Sequence, residues 1–374
     1  MRTTNTTVIT GAALLAVAAG AAGTLYFTGV LDGASPSGAA SALCEGLVPQ
    51  APLEEFLGGQ ALSTDDMITA RLDQEPQECS VQPRRDPLPA YYDELNVTVS
   101  RYAGSRQLLV YLERSISDDW RDVVTPLGNG WRGVLNTNGI EGHAAVVMLC
   151  GDGGQSDGSV VVNLTARHRG NTSPQITSEQ RVQLARLATG TAVNAAEQAG
   201  CEAPHGKAVR EVAAAFPVSV PYDSSDRSGV TAPGEATGTC AGITVDTRET
   251  EADPLAPIED CLLLDEAGDP AFRLAAYYGP FVQGGFVATY KRGDSDKFRG
   301  PAGGSDGLYW ASASCPAQGG TAFFTSETLH VPGDDRHTAA DPELQQSALR
   351  TFARRSAEEH GCSTPEFSGG NPEN

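Results

Sequence analysis

Two strings of the form G-x-S-x-G, Gly154-Gln155-Ser156-Asp157-Gly158 and Gly303-Gly304-Ser305-Asp306-Gly307, carry the residue types of a nucleophile elbow. In that motif a serine sits on a sharp turn between an entering strand and a leaving helix. Here each string is followed by a strand-like run, and the first reads as the loop of a hairpin, so neither serine is assigned a catalytic role. The six histidines, His143, His168, His205, His330, His337 and His360, include no H-x-x-x-H or HExxH pair of the zinc enzymes. Acidic clusters at Asp65-Asp66, Asp118-Asp119, Glu249 to Asp253 and Asp334-Asp335 lack the alternating pattern of a calcium loop. They read as solvated surface, with weak cation binding or attraction of a basic partner as the functional alternative. N-x-[ST] strings begin at Asn5, Asn96, Asn163 and Asn171 and mean nothing outside a glycosylating pathway. No catalytic, cofactor-binding or metal-ligating residue is assigned.

The residues whose chemistry is legible are the eight cysteines: Cys44, Cys79, Cys150, Cys201, Cys240, Cys261, Cys315 and Cys362. No pair has C-x-x-C spacing, and all lie beyond an apolar N-terminal segment that implies export to an oxidising compartment, so structural disulfides are expected. They fall into two groups of four, and similarity around them suggests a duplication. Seven residues separate Gly139-Ile140-Glu141-Gly142 from Cys150, and seven separate Gly304-Ser305-Asp306-Gly307 from Cys315. Ser305 therefore matches Ile140, and the shared feature is a glycine pair enclosing an acid. Ala196 to Cys201 likewise overlays Ala357 to Cys362 as A-E-x-x-G-C.

The elements that hold these cysteines repeat as well. His143 to Cys150 and Ser159 to Arg167 are β-rich runs flanking a Gly/Asp loop; Leu308 to Cys315 and Thr321 to Leu329 flank Pro316 to Gly320. A helix closes each copy. One starts at Thr177 or Ser178 with Gln180 close behind, the other at Asp341 with Pro342 at its first position, and Gly200 and Gly361 supply the stops. After the third cysteine a nine-residue strand runs back for roughly 30 Å, and a helix of about 21 residues returns as far. The fourth cysteine thus comes level with the third. That favours Cys150–Cys201 and Cys315–Cys362, and leaves Cys44 with Cys79 and Cys240 with Cys261. Upstream, Cys79 to Gln82, Leu95 to Tyr102 and Trp131 to Leu135 read as strands and Gln107 to Trp120 as a helix, with Cys261 to Leu264 and Phe272 to Tyr278 as counterparts in the second copy. The expected fold class is α+β: two homologous disulfide-bonded domains, each an antiparallel sheet packed by a C-terminal helix.

No charge occurs between Arg2 and Asp32, and Val8 to Leu31 is long enough to cross a hydrocarbon core of about 30 Å. With Arg2 and the free amine on one side and Asp32 on the other, the reading is a single span with the bulk of the chain extracytoplasmic, at the cell membrane. The competing reading is a cleaved secretory signal, for which Ala19-Gly20-Ala21 and Ala40-Ser41-Ala42 fit the small-residue rule. The expected organisation is residues 1–7 cytoplasmic, 8–31 anchor, 32–43 flexible stalk, 44–204 first copy, 205–237 linker, 238–365 second copy and 366–374 disordered tail. In the linker, Val212 to Tyr222 could form an edge strand of the second domain, and the turn-rich Ser224 to Thr239 is expected to be mobile. Acidic residues outnumber basic ones by 47 to 26, a net charge of -21, which argues against nucleic acid as a partner.

Only Lys207, Lys291 and Lys297 are lysines among the basic residues, and Ala and Gly abound. With the single N-terminal span and paired disulfide domains, the chain resembles uncharacterised actinobacterial cell-envelope proteins. The resemblance lies in organisation and implies an exported protein; it transfers no functional residue. The function expected is binding of an envelope partner or ligand by a tethered, non-enzymatic ectodomain without a cofactor. The alternative is an envelope hydrolase with its site between the copies, Glu141 and Asp306 being the acids that both copies carry.

Overall fold

The computed structural model describes residues 43–57, 62–65, 77–83, 94–101, 123–138, 141–151, 159–167, 176–213, 229–282, 300–305, 307–329 and 341–367. The expected anchor and stalk, the Gln107 to Trp120 helix, the first G-x-S-x-G string, Asp306, His168, His330 and His337 lie outside them. Among the described residues no helix is long and apolar enough to cross a membrane.

From Leu43 onward the chain folds as one unit of α+β class. The first half contributes helix α1 (Gln50–Phe56) and strands β1 (Leu62–Asp65), β2 (Gln77–Pro83), β3 (Glu94–Arg101), β4 (Thr125–Pro126), β5 (Gly133–Asn138), β6 (Glu141–Met148) and β7 (Val160–Arg167), then helix α2 (Ser178–Gln198). The second contributes β8 (Thr247–Glu249), β9 (Ile258–Leu264), β10 (Pro270–Tyr278), β11 (Gly303–Ser305), β12 (Leu308–Cys315) and β13 (Gly320–Thr328), then helix α3 (Pro342–Glu359). Each half builds its own antiparallel sheet, ordered β1-β2-β3-β7-β6-β5-β4 and β11-β12-β13-β10-β9-β8. Read from the strand holding the second cysteine, both orders are the same: β2-β3-β7-β6-β5 and β9-β10-β13-β12-β11.

The alternation of side chains along each strand sends residues to two faces, and both faces of each sheet are used. Toward α2 the first sheet presents Leu95, Val97, Val146, Val162 and Leu164, packed with Leu184, Ala188, Ala192 and Ala195 of the helix. Toward α3 the second presents Leu263, Leu274, Ala276, Ala311 and Phe324, packed with Leu349, Phe352 and Ala353. The opposite faces meet each other: Val134, Ala145, Val147 and Val161 of the first sheet cluster with Ile258, Ala275, Tyr277, Trp310 and Phe323 of the second. The result is four layers, helix–sheet–sheet–helix. This explains why β9 and β10 are buried along their whole lengths instead of alternating with solvent.

The helix ends follow from local sequence. Thr177 and Gln180 form a reciprocal capping box at the start of α2, and the Asp341 side chain accepts from Leu344 N ahead of Pro342. Gly200 and Gly361 take φ of +63° and +67°. Beyond them Cys201 N donates to Ala196 O and Cys362 N to Ala357 O, each 2.8 Å. These are Schellman closures, and they place the fourth cysteine of each half one residue past the glycine. The four disulfides are Cys44–Cys79, Cys150–Cys201, Cys240–Cys261 and Cys315–Cys362, with Cα–Cα distances of 5.8, 5.1, 5.2 and 4.2 Å.

The stretch expected to link the copies is divided between them. Val209 and Val212 enter the first core, and Trp131 Nε1 donates to Lys207 O at 2.6 Å. Thr231 bridges Thr247 at the edge of the second sheet. The turn-rich residues 231–240 are held because Glu249 accepts from the backbone N–H groups of Thr237, Gly238 and Cys240 at 3.1, 2.9 and 3.0 Å. At the other end, Glu366 bridges Ser312 and extends the β12 edge past Cys362.

Candidate functional site

Where the halves join, the turn after β4, the segment after Cys201 and the loop before β9 enclose a cleft of about 570 Å³. Pro126 to Asn129 line one side, Glu211 to Ala213 a second and Glu251 to Pro254 a third. The turn reverses tightly because Gly128, Asn129 and Gly130 all adopt left-handed backbone, φ +63°, +55° and +84°. Asparagine is the non-glycine residue that tolerates this best. Asn129 O then accepts from Lys207 N at 2.8 Å, which ties the turn to the segment that delivers Glu211.

Polar bonds across the junction fix the third wall. Arg132 donates to Gln318 Oε1, and Gln318 Nε2 donates to Pro254 O at 2.8 Å. Burial pulls the Arg132 guanidinium below its ordinary pKa, and the Asp253 charge opposes that shift. Asp253 Oδ1 also accepts from Leu255 N at 2.8 Å, which orients its carboxylate at the head of the loop. Thus Glu211, Glu251 and Asp253 are three acidic residues lining one cleft, with Asn129 beside them. Such a lining suits a cationic group. Among the described residues, no three His, Cys, Asp or Glu side chains converge closely enough to hold a metal ion.

The other acids and histidines occupy different places. Glu141 lies at the end of β6 away from the cleft, since Gly133, next to the cleft turn, pairs with Val146 and Asn138 with Glu141. Its carboxylate accepts from Arg167 Nε at 2.5 Å and stands 3.6 Å from His143 Nε2. His143 and Arg167 together hold its pKa down to about 2, against the opposing effect of burial. Of the acidic clusters, Asp65 and the whole run Glu249 to Asp253 fall in the described residues. Of these Glu249 is a loop clamp, not a solvated surface charge.

Gly303 and Gly304 of the second G-x-S-x-G string lie on β11 beside Trp310 and Tyr309. A Cβ would come within 2.0 Å and 2.1 Å of those rings, so the glycines serve close packing. Gly142 is similar: a Cβ there would lie 2.7 Å from Leu184 Cδ2. Asn163 is 4% exposed, so the acceptor of its N-x-[ST] string is folded inside.

A second cluster of titratable groups is enclosed beneath α3. Glu259 accepts from Ser356 Oγ at 2.6 Å and Arg355 Nη2 at 2.8 Å, and Ser356 Oγ lies 2.6 Å from Tyr278 Oη. Burial first, and then the Glu259 charge, raise the Tyr278 pKa well above its ordinary value. His360 stacks on Tyr278, with Nδ1 2.9 Å from Ser356 O and Nε2 3.1 Å from Ala256 O. With Glu259, Ser356 and His360 all buried, this network fastens the helix to β9 and β10.

Of the cleft, only the Glu249 to Asp253 run is singled out by the sequence. Glu211, Asn129 and Arg132 are missed because they come from separate segments with no shared motif. Comparison with protein-family models, curated proteins and solved structures finds no match.

Proposed function

We propose that the protein is a membrane-tethered extracytoplasmic binding protein of two homologous modules, whose junction cleft receives a basic ligand or a basic segment of an envelope partner. The observation that carries the reading is the meeting of Glu211, Glu251 and Asp253 in one cleft of about 570 Å³, on a chain of net charge -21. The span at residues 8–31 supplies the tether and sets the compartment. The common strand order of the sheets and the matching disulfides support descent of both modules from one ancestral unit. Binding in such a cleft would be strongest at low salt, since partly exposed charges are screened.

The test is calorimetric titration of the full-length protein in detergent with hexa-lysine and spermidine, beside the triple variant Glu211→Gln, Glu251→Gln, Asp253→Asn. Saturable binding to the native protein that weakens about tenfold or more in the variant is expected. Equal binding by both proteins, or none by the native one, overturns the cleft assignment. Protease protection in intact cells tests the topology separately, and protection of the ectodomain would refute it.

A further inference from the structure

Of the four bridges, Cys150–Cys201 alone joins two half-buried cysteines. In each of the others at least one partner is 4% exposed or less. The difference lies in where the elements end. Cys150 follows β6 into a turn and Cys201 follows the closure of α2, so an exposed glycine with left-handed backbone stands beside each, Gly151 and Gly200. A Cβ at either glycine would meet nothing within 4 Å, so both face open space. Cys201 also lines a groove of about 440 Å³, and Cys150 is not among its walls. Val193, Ala196, Ala203 and Pro204 give that groove an apolar side, and Glu197 and Glu202 line it with them. Among the described residues, no Lys or Arg lines it. Helix α2 ends here without a basic residue in its last turn, so the partial negative charge of its terminal carbonyls adds to that of the two acids. Arg101 meets one of those carbonyls from outside the lining, donating to Ala199 O at 3.2 Å.

An accessible disulfide is an electrophile, and access decides which of its sulfurs an incoming thiolate attacks. We infer that Cys150–Cys201 is a thiol-exchange site for small aminothiols, molecules that carry a thiol and an ammonium on a short carbon chain. The thiolate attacks Cys201 Sγ from the groove and forms a new S–S bond there. The bond to Cys150 breaks, its electron pair leaves on Cys150 as a thiolate, and that thiolate takes up the proton the incoming thiol released. One disulfide replaces another, so no oxidant or reductant is consumed. The apolar wall suits the carbon chain and the two acids suit the ammonium, whereas an anionic thiol would bring like charge to the same walls. Exchange does not require the fold to open. Cys201 N donates to Ala196 O at 2.8 Å and Cys201 packs against the first core, so the residue stays in place without its bridge. The site is separate from the junction cleft and does not rest on what that cleft binds.

The experiment incubates the full-length protein in detergent, without denaturant and at low salt, with cysteamine or with 2-mercaptoethanesulfonate. Iodoacetamide then traps the freed thiol, and peptide mapping without reduction locates both labels. Cysteamine should appear on Cys201 and the alkyl group on Cys150, about tenfold or more ahead of any label in the other three bridges. The ratio of the cysteamine rate to the sulfonate rate should fall about threefold or more in the double variant Glu197→Gln, Glu202→Gln, and likewise in about 1 M salt. Comparing ratios cancels the different reactivities of the two thiols. Labelling that starts in another bridge, a cysteamine adduct on Cys150, or no exchange while the protein stays folded overturns the site. A ratio that neither the substitutions nor salt alters overturns the preference for aminothiols. Both glutamates are exposed, and mapping on the native chain decides the site even should the variant not fold.

Discussion

Asp260, on β9 of the second sheet, accepts a hydrogen bond at 3.1 Å from the backbone N–H of Val124 in the first half. Its other oxygen holds Arg273 at 2.7 Å, and Thr250 Oγ1 returns a bond to Val124 O at 3.2 Å. The carboxylate is wholly buried, so one side chain both neutralises a buried guanidinium and fastens the halves together. Asp260→Ala should cost about 3 kcal/mol or more, because it leaves Val124 N–H unsatisfied and removes this carboxylate from the Arg273 charge. Urea denaturation measures it; a loss under about 1 kcal/mol would contradict the role given to Asp260.

The two sheets share one apolar contact, so the region after Leu43 should unfold in one transition. Differential scanning calorimetry should give a single peak whose van't Hoff and calorimetric enthalpies agree. Two resolved peaks would mean that the contact through Val147, Val161, Tyr277 and Phe323 couples the halves too weakly to matter.

Peptide mapping without reduction should recover four linkages, each within one half. Replacing Cys150 and Cys201 together by alanine opens a closure spanning 51 residues, for which chain entropy predicts a loss of about 4 kcal/mol. Both cysteines are half-buried, so little cavity cost should be added. A melting temperature unchanged from the native protein would refute this.

The depressed pKa of Glu141 carries a definite sign. Its folded value of about 2 lies below the ordinary 4.5, so its contribution is complete above about 4.5 and declines as pH falls toward 2. The stability difference between the native chain and Glu141→Gln should therefore be larger at neutral pH than in acid. Because the carboxylate is partly exposed, the effect should be modest and shrink with salt. Denaturation curves at the two pH values decide it, and a difference independent of pH would reject the pairing.

At Gly238 a Cβ would lie 2.1 Å from Thr250 O, a backbone atom that cannot swing away. Gly238→Ala should destabilise by at least about 1–3 kcal/mol, read as a lowered denaturation midpoint. Gly151→Ala is a useful contrast, since its Cβ meets nothing within 4 Å and only its φ of +88° opposes the change.

Much of each half was legible because its signals are local. Thr177 with Gln180, Asp341 with Pro342, and the Gly-Cys pairs ending both helices specify their structures within a few residues. The disulfide partners followed from strand and helix lengths. By contrast, the stacking of one sheet on the other depends on contacts between residues more than a hundred positions apart, such as Val161 and Phe323. Its one local trace was the unbroken burial of β9 and β10, visible in sequence as Cys-Leu-Leu-Leu and Leu-Ala-Ala-Tyr-Tyr. The cleft was harder still. Glu249 and Asp253 look alike in sequence, but three backbone N–H groups claim the first, whereas the second lines the cleft.

Had the two sheets belonged to separate chains, their pairing would obey mass action and would fall apart on dilution. Carried on a single polypeptide, the two surfaces confront each other at an effective concentration that the number of molecules per cell does not alter. A scarce protein can thus keep its four-layer architecture, and the cleft at the seam, as solitary copies.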